Sequence, residues 1–219
     1  MIDFNTIVII ILSGCSSVNV LNSWKGDNVS AVKEKNVIVI ARTDNNKART
    51  DFENEIVKQL SGRGIKATAS YTKFPKLNPD QEVTEERKAE IIASLLKQGF
   101  NAVVLTVVKD VEEMTKGTYE EAHYSGGTYY GYYPRYYGGL YTYYNNPSSY
   151  STLGNYEAES FTVQTANNYV LETVIYDLDE TDEKQLVAVV TSKIEDPENV
   201  SVAAKQYVKA IAKSFDNKK

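Results

Sequence analysis

Asn36–Ala41 reads NVIVIA and Asn101–Val108 reads NAVVLTVV. Both are short, nearly unbroken apolar runs rich in β-branched residues, the pattern of strands buried on both faces. Between them, Phe52, Ile56, Val57 and Leu60 recur at helical spacing, and Gly62 and Gly64 follow where such a helix would stop. Ile65–Tyr71 reads as a further strand, and Thr72–Gln81, with Pro75 and Pro79, as a loop. Thr84 is suited to cap a second helix whose apolar face is Ile91, Ile92, Leu95 and Leu96, ended by Gly99. The alternation strand, helix, strand, helix, strand predicts a sheet with helices packed on it.

Downstream, the β-rich runs Phe161–Asp177 and Gln185–Ser192 flank the polar turn Asp179–Glu183 and predict an antiparallel hairpin. Asp196-Pro197-Glu198 looks like a helix start, with Asp196 as the cap. Val200, Ala204, Tyr207, Val208, Ile211 and Phe215 line one face of the helix that follows. The expectation is a single α/β (α+β) domain over residues 36–217. Its mixed sheet has about five strands and three helices, in the order β-α-β-α-β-(tyrosine-rich insert)-β-β-α.

Composition removes several classes of function. The 219 residues carry a net charge of −5, which argues against nucleic acid as a partner. One Cys excludes internal disulfides and cysteine-rich zinc sites, and one His excludes most histidine-based centres. No phosphate-cradling loop, dinucleotide fingerprint or nucleophile elbow occurs, so no cofactor and no metal is implied. The expectation is a protein that is not an enzyme.

At the N-terminus, FNTIVIIIL (Phe4–Leu12) is too short to span a bilayer and runs directly into Ser13-Gly14-Cys15. Leu12-Ser13-Gly14-Cys15 resembles the lipobox of bacterial lipoproteins. The resemblance implies a signal peptide over 1–14 cut between Gly14 and Cys15, with diacylglyceryl on the Cys15 thiol and a further acyl chain such as palmitate on its amino group. Met1-Ile2-Asp3 departs from the pattern in lacking a basic residue. Residues 15–35, without sustained periodicity, read as a lipidated tether, with Trp24 available to dock on the domain. Ser16-Ser17, by resemblance to the sorting rule of enteric bacteria, point to the outer membrane of the cell envelope.

The domain pattern also resembles a group of bacterial envelope lipoprotein domains. The group comprises the N-terminal domain of the Tol-system periplasmic protein, the penicillin-binding-protein activator lipoproteins and the curli-secretion lipoproteins. The resemblance is carried by Val37–Ile40 before a helix ending in Leu60-Ser61-Gly62-Arg63-Gly64, then by Gly99–Val104, then by Tyr176-Asp177-Leu178 and Leu186-Val187-Ala188. It implies a fold and an envelope setting, and no catalytic residue comes with it.

Residues 122–156 stand apart. These 35 residues hold 12 of the 17 Tyr and 6 of the 12 Gly, with Arg135 as the one formal charge. Tyr, Gly, Ser and Asn are the materials of adaptable binding loops, because a tyrosine ring offers contact area at low entropic cost. Tyr129, Tyr130, Tyr132, Tyr133, Tyr136 and Tyr137 are the expected contact residues, on a mobile loop above a rigid domain. The partner would be peptidoglycan, another glycan or an envelope protein. The alternative is a disordered or lipid-headgroup-contacting insert with no fixed partner, or one whose aromatics pack on their own sheet. An oligomeric assembly or enzyme-recruiting subunit is the second functional reading.

Three further groups of charged residues bear on chemistry. His123, after Glu120 and Glu121, lacks two or three ligands for a metal site and reads as a surface residue. Asp51 and Glu55, four residues apart on one helical face, make an acid/base pair conceivable but have no second motif. Lys205, Lys209 and Lys213 form a stripe opposite the apolar face of the last helix and read as a solvated face.

Overall fold

The computed structural model describes residues 18–75, 84–115, 123–126, 139–141, 154–157, 165–181 and 184–216. Strand β1 (Val18–Lys25) leads through a 3-10 helix (Asp27–Glu34) to β2 (Asn36–Arg42), α1 (Asn46–Ser61) and β3 (Lys66–Ala69). Then come α2 (Glu85–Lys97), β4 (Ala102–Thr115), the short strands β5 (His123–Gly126) and β6 (Gly154–Glu157), β7 (Thr165–Asp177), β8 (Leu186–Glu195) and α3 (Val200–Asp216). Six strands form one mixed sheet in the order β1-β8-β7-β4-β2-β3, with β2 parallel to both β3 and β4 and the remaining pairs antiparallel. This is the expected α/β architecture.

Strand period divides the core in two. Val37, Val39 and Ala41 point to the first face, where they pack with Phe52 and Ile56 of α1 and Ala204, Tyr207 and Ile211 of α3. Ile38 and Ile40 point to the second face and join Leu95, Phe100, Leu105, Val174 and Val189. The residues that make NVIVIA look buried on both sides are therefore shared between two cores. Gly99, at φ +82, ends α2 in the left-handed region that glycine enters without strain. Phe100 N–H reaches Leu95 O (2.9 Å) and Gly99 N–H reaches Leu96 O (2.8 Å), closing the helix end.

Three expectations are corrected. Val18–Lys25, expected to lie in a tether, is an edge strand paired with β8 from Val18↔Ile194 to Lys25↔Ala188 and is the sixth strand of the sheet. The predicted strand Ile65–Tyr71 is shorter, Lys66–Ala69, and turns into a 3-10 helix at Ser70–Thr72. The last helix is capped by Asn199, whose Oδ1 accepts from Val202 N–H at 3.0 Å, and not by Asp196. Asp196 sits at φ 39, inside the turn. Within the tyrosine-rich insert, β5 and β6 form a two-stranded ribbon, pairing His123↔Glu157 through Gly126↔Gly154.

Candidate interaction site

The insert leaves the sheet from β4 and returns to it in β7. The sheet row that begins at Val18 runs through Ile194 and Tyr169 to Val111. The β4–β7 ladder continues past that row to Thr115↔Thr165, so the root of the insert and the start of β1 share one end of the sheet.

Leu140, twenty-five positions beyond Thr115, is docked at the opposite end. It is 5% exposed, packs with the second-face core, and its N–H donates to Gln185 Oε1 at 3.3 Å. Gln185 is itself buried and donates through Nε2 to Glu180 O at 3.1 Å. Gln185 lies one residue before the Tyr176↔Leu186 pair. At about 3.3 Å per residue, that pair is roughly 36 Å along β7 from Thr165. The middle of the insert is thus pinned to the domain, with Tyr141 buried next to Leu140.

Between root and pin, the second face carries buried charge. Lys109, Glu172 and Lys193 are each under 5% exposed, and Arg42 is also buried. Lys109 Nζ lies 3.7 Å from Glu172 Oε1, Thr191 Oγ1 donates to Glu172 Oε2 at 3.5 Å, and Lys193 Nζ pairs with Glu195 at 2.5 Å. Burial drives Lys109 down to about 8 despite the attraction of Glu172. Burial also raises Glu112 above the usual carboxylate range, against the pull of Lys193.

Of the residues singled out from sequence, Gly14, Cys15 and Tyr129, Tyr130, Tyr132, Tyr133, Tyr136 and Tyr137 lie outside the described residues, as do Glu120 and Glu121. His123 opens the β5–β6 ribbon opposite Glu157. Asp51 and Glu55 are not brought together as a working pair. Asp51 Oδ2 accepts from Lys47 Nζ (2.7 Å) and Ser201 Oγ (2.6 Å), and these bonds hold its carboxyl below the ordinary range. Glu55 lies 3.8 Å from Lys58. Lys205, Lys209 and Lys213 are exposed on α3. Among the described residues no group of His, Cys, Asp and Glu is placed to hold a metal ion, and no helix is long and apolar enough to cross a membrane. Sequence reasoning missed Leu140 and the buried charges. Leu140 had a signal, being an aliphatic residue in a run of Tyr and Gly.

No protein-family model and no curated protein matches the chain. Among solved structures it is similar to a protomer of the PelC dodecamer from Paraburkholderia phytofirmans. The TM-score is 0.39 and the identity 11%, with 89% of this chain and 95% of that one covered. No residue role is carried over from that likeness.

Proposed function

We infer that the chain is a lipid-anchored protein of the bacterial cell envelope, at the outer membrane, and that it acts without catalysis. It is a binding module whose contact surface for peptidoglycan, another glycan or an envelope protein is the tyrosine-rich insert. The observation that carries this reading is the docking of Leu140 and Tyr141. A segment pinned to the core at its midpoint is part of the domain's architecture. The six tyrosines 129–137 precede that pin by three to eleven residues in sequence.

The anchor fits the same frame. Cys15 precedes Val18 by three residues, and a fully extended chain spans at most about 3.6 Å per residue. Lipids on Cys15 would therefore hold the edge of the sheet within roughly 11 Å of the headgroups. Several acyl chains give firm attachment where one is marginal.

The test is co-sedimentation of the unlipidated chain, beginning at Ser16, with purified peptidoglycan sacculi. A second sample has Tyr129, Tyr130, Tyr132, Tyr133, Tyr136 and Tyr137 replaced by Ser, and a third carries Leu140→Ala. Pelleting lost in the sixfold variant and weakened in Leu140→Ala supports the reading. Equal pelleting of all three removes the insert from the binding role. Labelling of the full-length chain by radioactive palmitate, abolished in Cys15→Ser, tests the anchor separately.

A further inference from the structure

At the end of the sheet away from Val18, helices α1 and α3 part over the first face. Between them and the 3-10 helix Asp27–Glu34 lies a cleft of about 640 Å³. Its floor is the sheet itself, at Val104 and Ile175. Ile175 is only half-buried, although its neighbours Val174 and Tyr176 on the same central strand are fully buried. Leu60 and Ile211 form facing walls. Native interiors keep few voids larger than a water molecule. A cleft of this size, reaching a central strand, falls in the ~300–1,000 Å³ range of small-molecule sites.

The mouth has one sign of charge in excess. Lys25, Lys33 and Arg63 stand on it, against one carboxylate, Asp216. Arg63 already holds that carboxylate with both arms, Nη1–Oδ1 at 2.9 Å and Nη2–Oδ2 at 2.7 Å. Lys25 donates to Phe215 O at 2.9 Å and lies 5.2 Å from the centre of the Phe215 ring. These two contacts fasten the end of α3 beside the opening and leave the exposed Lys33 on its third side.

An apolar trough with a cationic mouth matches one ligand chemistry, an acyl chain with an anionic head. We propose that this cleft binds a monoacyl anionic amphiphile, a fatty acid or an anionic lysophospholipid, with the chain along Ile175 and Val104 and the head at Lys33. Lys25 marks the cleft in β1, seven residues from Val18, or roughly 23 Å at 3.3 Å per residue. The site is thus distinct from the insert root and does not depend on the reading of the tyrosines.

The experiment is isothermal titration of the full-length chain with palmitate and with lysophosphatidylglycerol, each below its micellar concentration, with hexadecanol as the uncharged probe. The expected result is one saturable site for an anionic amphiphile, with palmitate and lysophosphatidylglycerol in separate arms to tell the two sources apart. Ile175→Trp, which fills the trough, should abolish it, and the surface change Lys33→Glu should weaken it at least tenfold. Lys33→Glu alters an exposed side chain, so it remains informative if Ile175→Trp fails to fold. Absence of saturable binding by either anionic amphiphile, equal affinity for hexadecanol, or unchanged affinity in Lys33→Glu would overturn the proposal.

Discussion

The Tyr207 phenol lies 2.8 Å from the Thr173 hydroxyl, which in turn lies 2.7 Å from that of Thr106. The chain of three hydroxyls sits where α3 crosses β7 and β4, and all three residues are buried. Burial pushes the Tyr207 phenol well above its ordinary value, against the hydrogen bonds from Thr173 and Thr106. The ring meets Phe52 at 5.5 Å between centroids, so α1 and α3 touch through the same residue. Tyr207→Phe keeps that ring and takes from Thr173 one of its two hydroxyl partners. The expected loss is about 1–2 kcal/mol, within the cost of leaving a buried polar group unmade. Urea unfolding should show it as a lower midpoint at unchanged slope, and Tyr207→Ala should cost about 3–5 kcal/mol through the added cavity.

Glu53 ties α1 to the rest of the first half of the chain. Its Oε1 accepts from Ala41 N–H (3.1 Å), Arg49 Nε (3.2 Å) and Ser70 Oγ (2.7 Å), and Oε2 accepts from Tyr71 N–H (2.9 Å). Arg49 goes on to Ser70 Oγ and Phe74 O, so one buried pair fastens β2, the 3-10 turn after β3 and the loop beyond it. Glu53→Ala leaves the Arg49 charge buried and its partners open. The expected destabilisation is about 3–5 kcal/mol, and Glu53→Gln, which keeps the acceptor, should recover part of it. Equal melting temperatures for the two variants would contradict this account.

Stability should rise on the alkaline side of neutrality. Lys109 is held at about 8 in the folded protein, against 10.5 when unperturbed. Below pH 8 both states hold the proton and folding bears the full cost of burying the charge. Between about 8 and 10.5 the unfolded chain binds more protons than the folded one, so the free energy of unfolding increases with pH. At about 1.4 kcal/mol per unit the gain is a few kcal/mol at most. Tyr207 works the other way above pH 10, because its unfolded phenol ionises first. The rise is therefore read between pH 8 and 10 by urea titration. Lys109→Met combined with Glu172→Leu should remove it and leave stability at pH 7 equal or higher, as for other buried pairs replaced by apolar residues.

The parts of the fold legible in the sequence were those in which one period acts alone. NVIVIA and the Phe52–Leu60 face each follow a strand or helix repeat without interruption. In Val18–Lys25 the period-2 signal is broken by an irregularity between Val20 and Asn22, and the strand lies on an edge with Leu21 exposed. A half-wet, bulged edge strand looks like a polar linker. Asp196 and Asn199 are both good caps, and the choice between them depends on where β8 ends, which no local pattern specifies. Lys109, Glu172 and Lys193 each have a polar neighbour in sequence, as residues of a solvated strand end do. Their burial is set by what packs on the second face, which strand period does not encode. The six tyrosines and Cys15 remain readings of sequence, tested by the sacculi and palmitate experiments.

Where the domain begins is the most direct check on the architecture. If residues 15–35 were only a tether, a chain starting at Asn36 would fold as well as one starting at Ser16. The structure places Val18, buried at 5% exposure, and Val20 and Trp24 against the two cores. It also places Gly26 N–H on Val187 O at 2.8 Å and Val32 of the 3-10 helix in the first core. Removing residues up to 35 takes away these side chains, at about 1.5–3 kcal/mol for each fully buried large one, and bares the hydrogen-bonding edge of β8. The sum approaches the whole stability of a typical domain, about 5–15 kcal/mol. The Asn36 chain should therefore aggregate or show no cooperative unfolding, whereas the Ser16 chain should melt in a single transition. Matching melting curves for the two would return Val18–Lys25 to the status of a linker and, with it, undo the close approach of the domain to the bilayer.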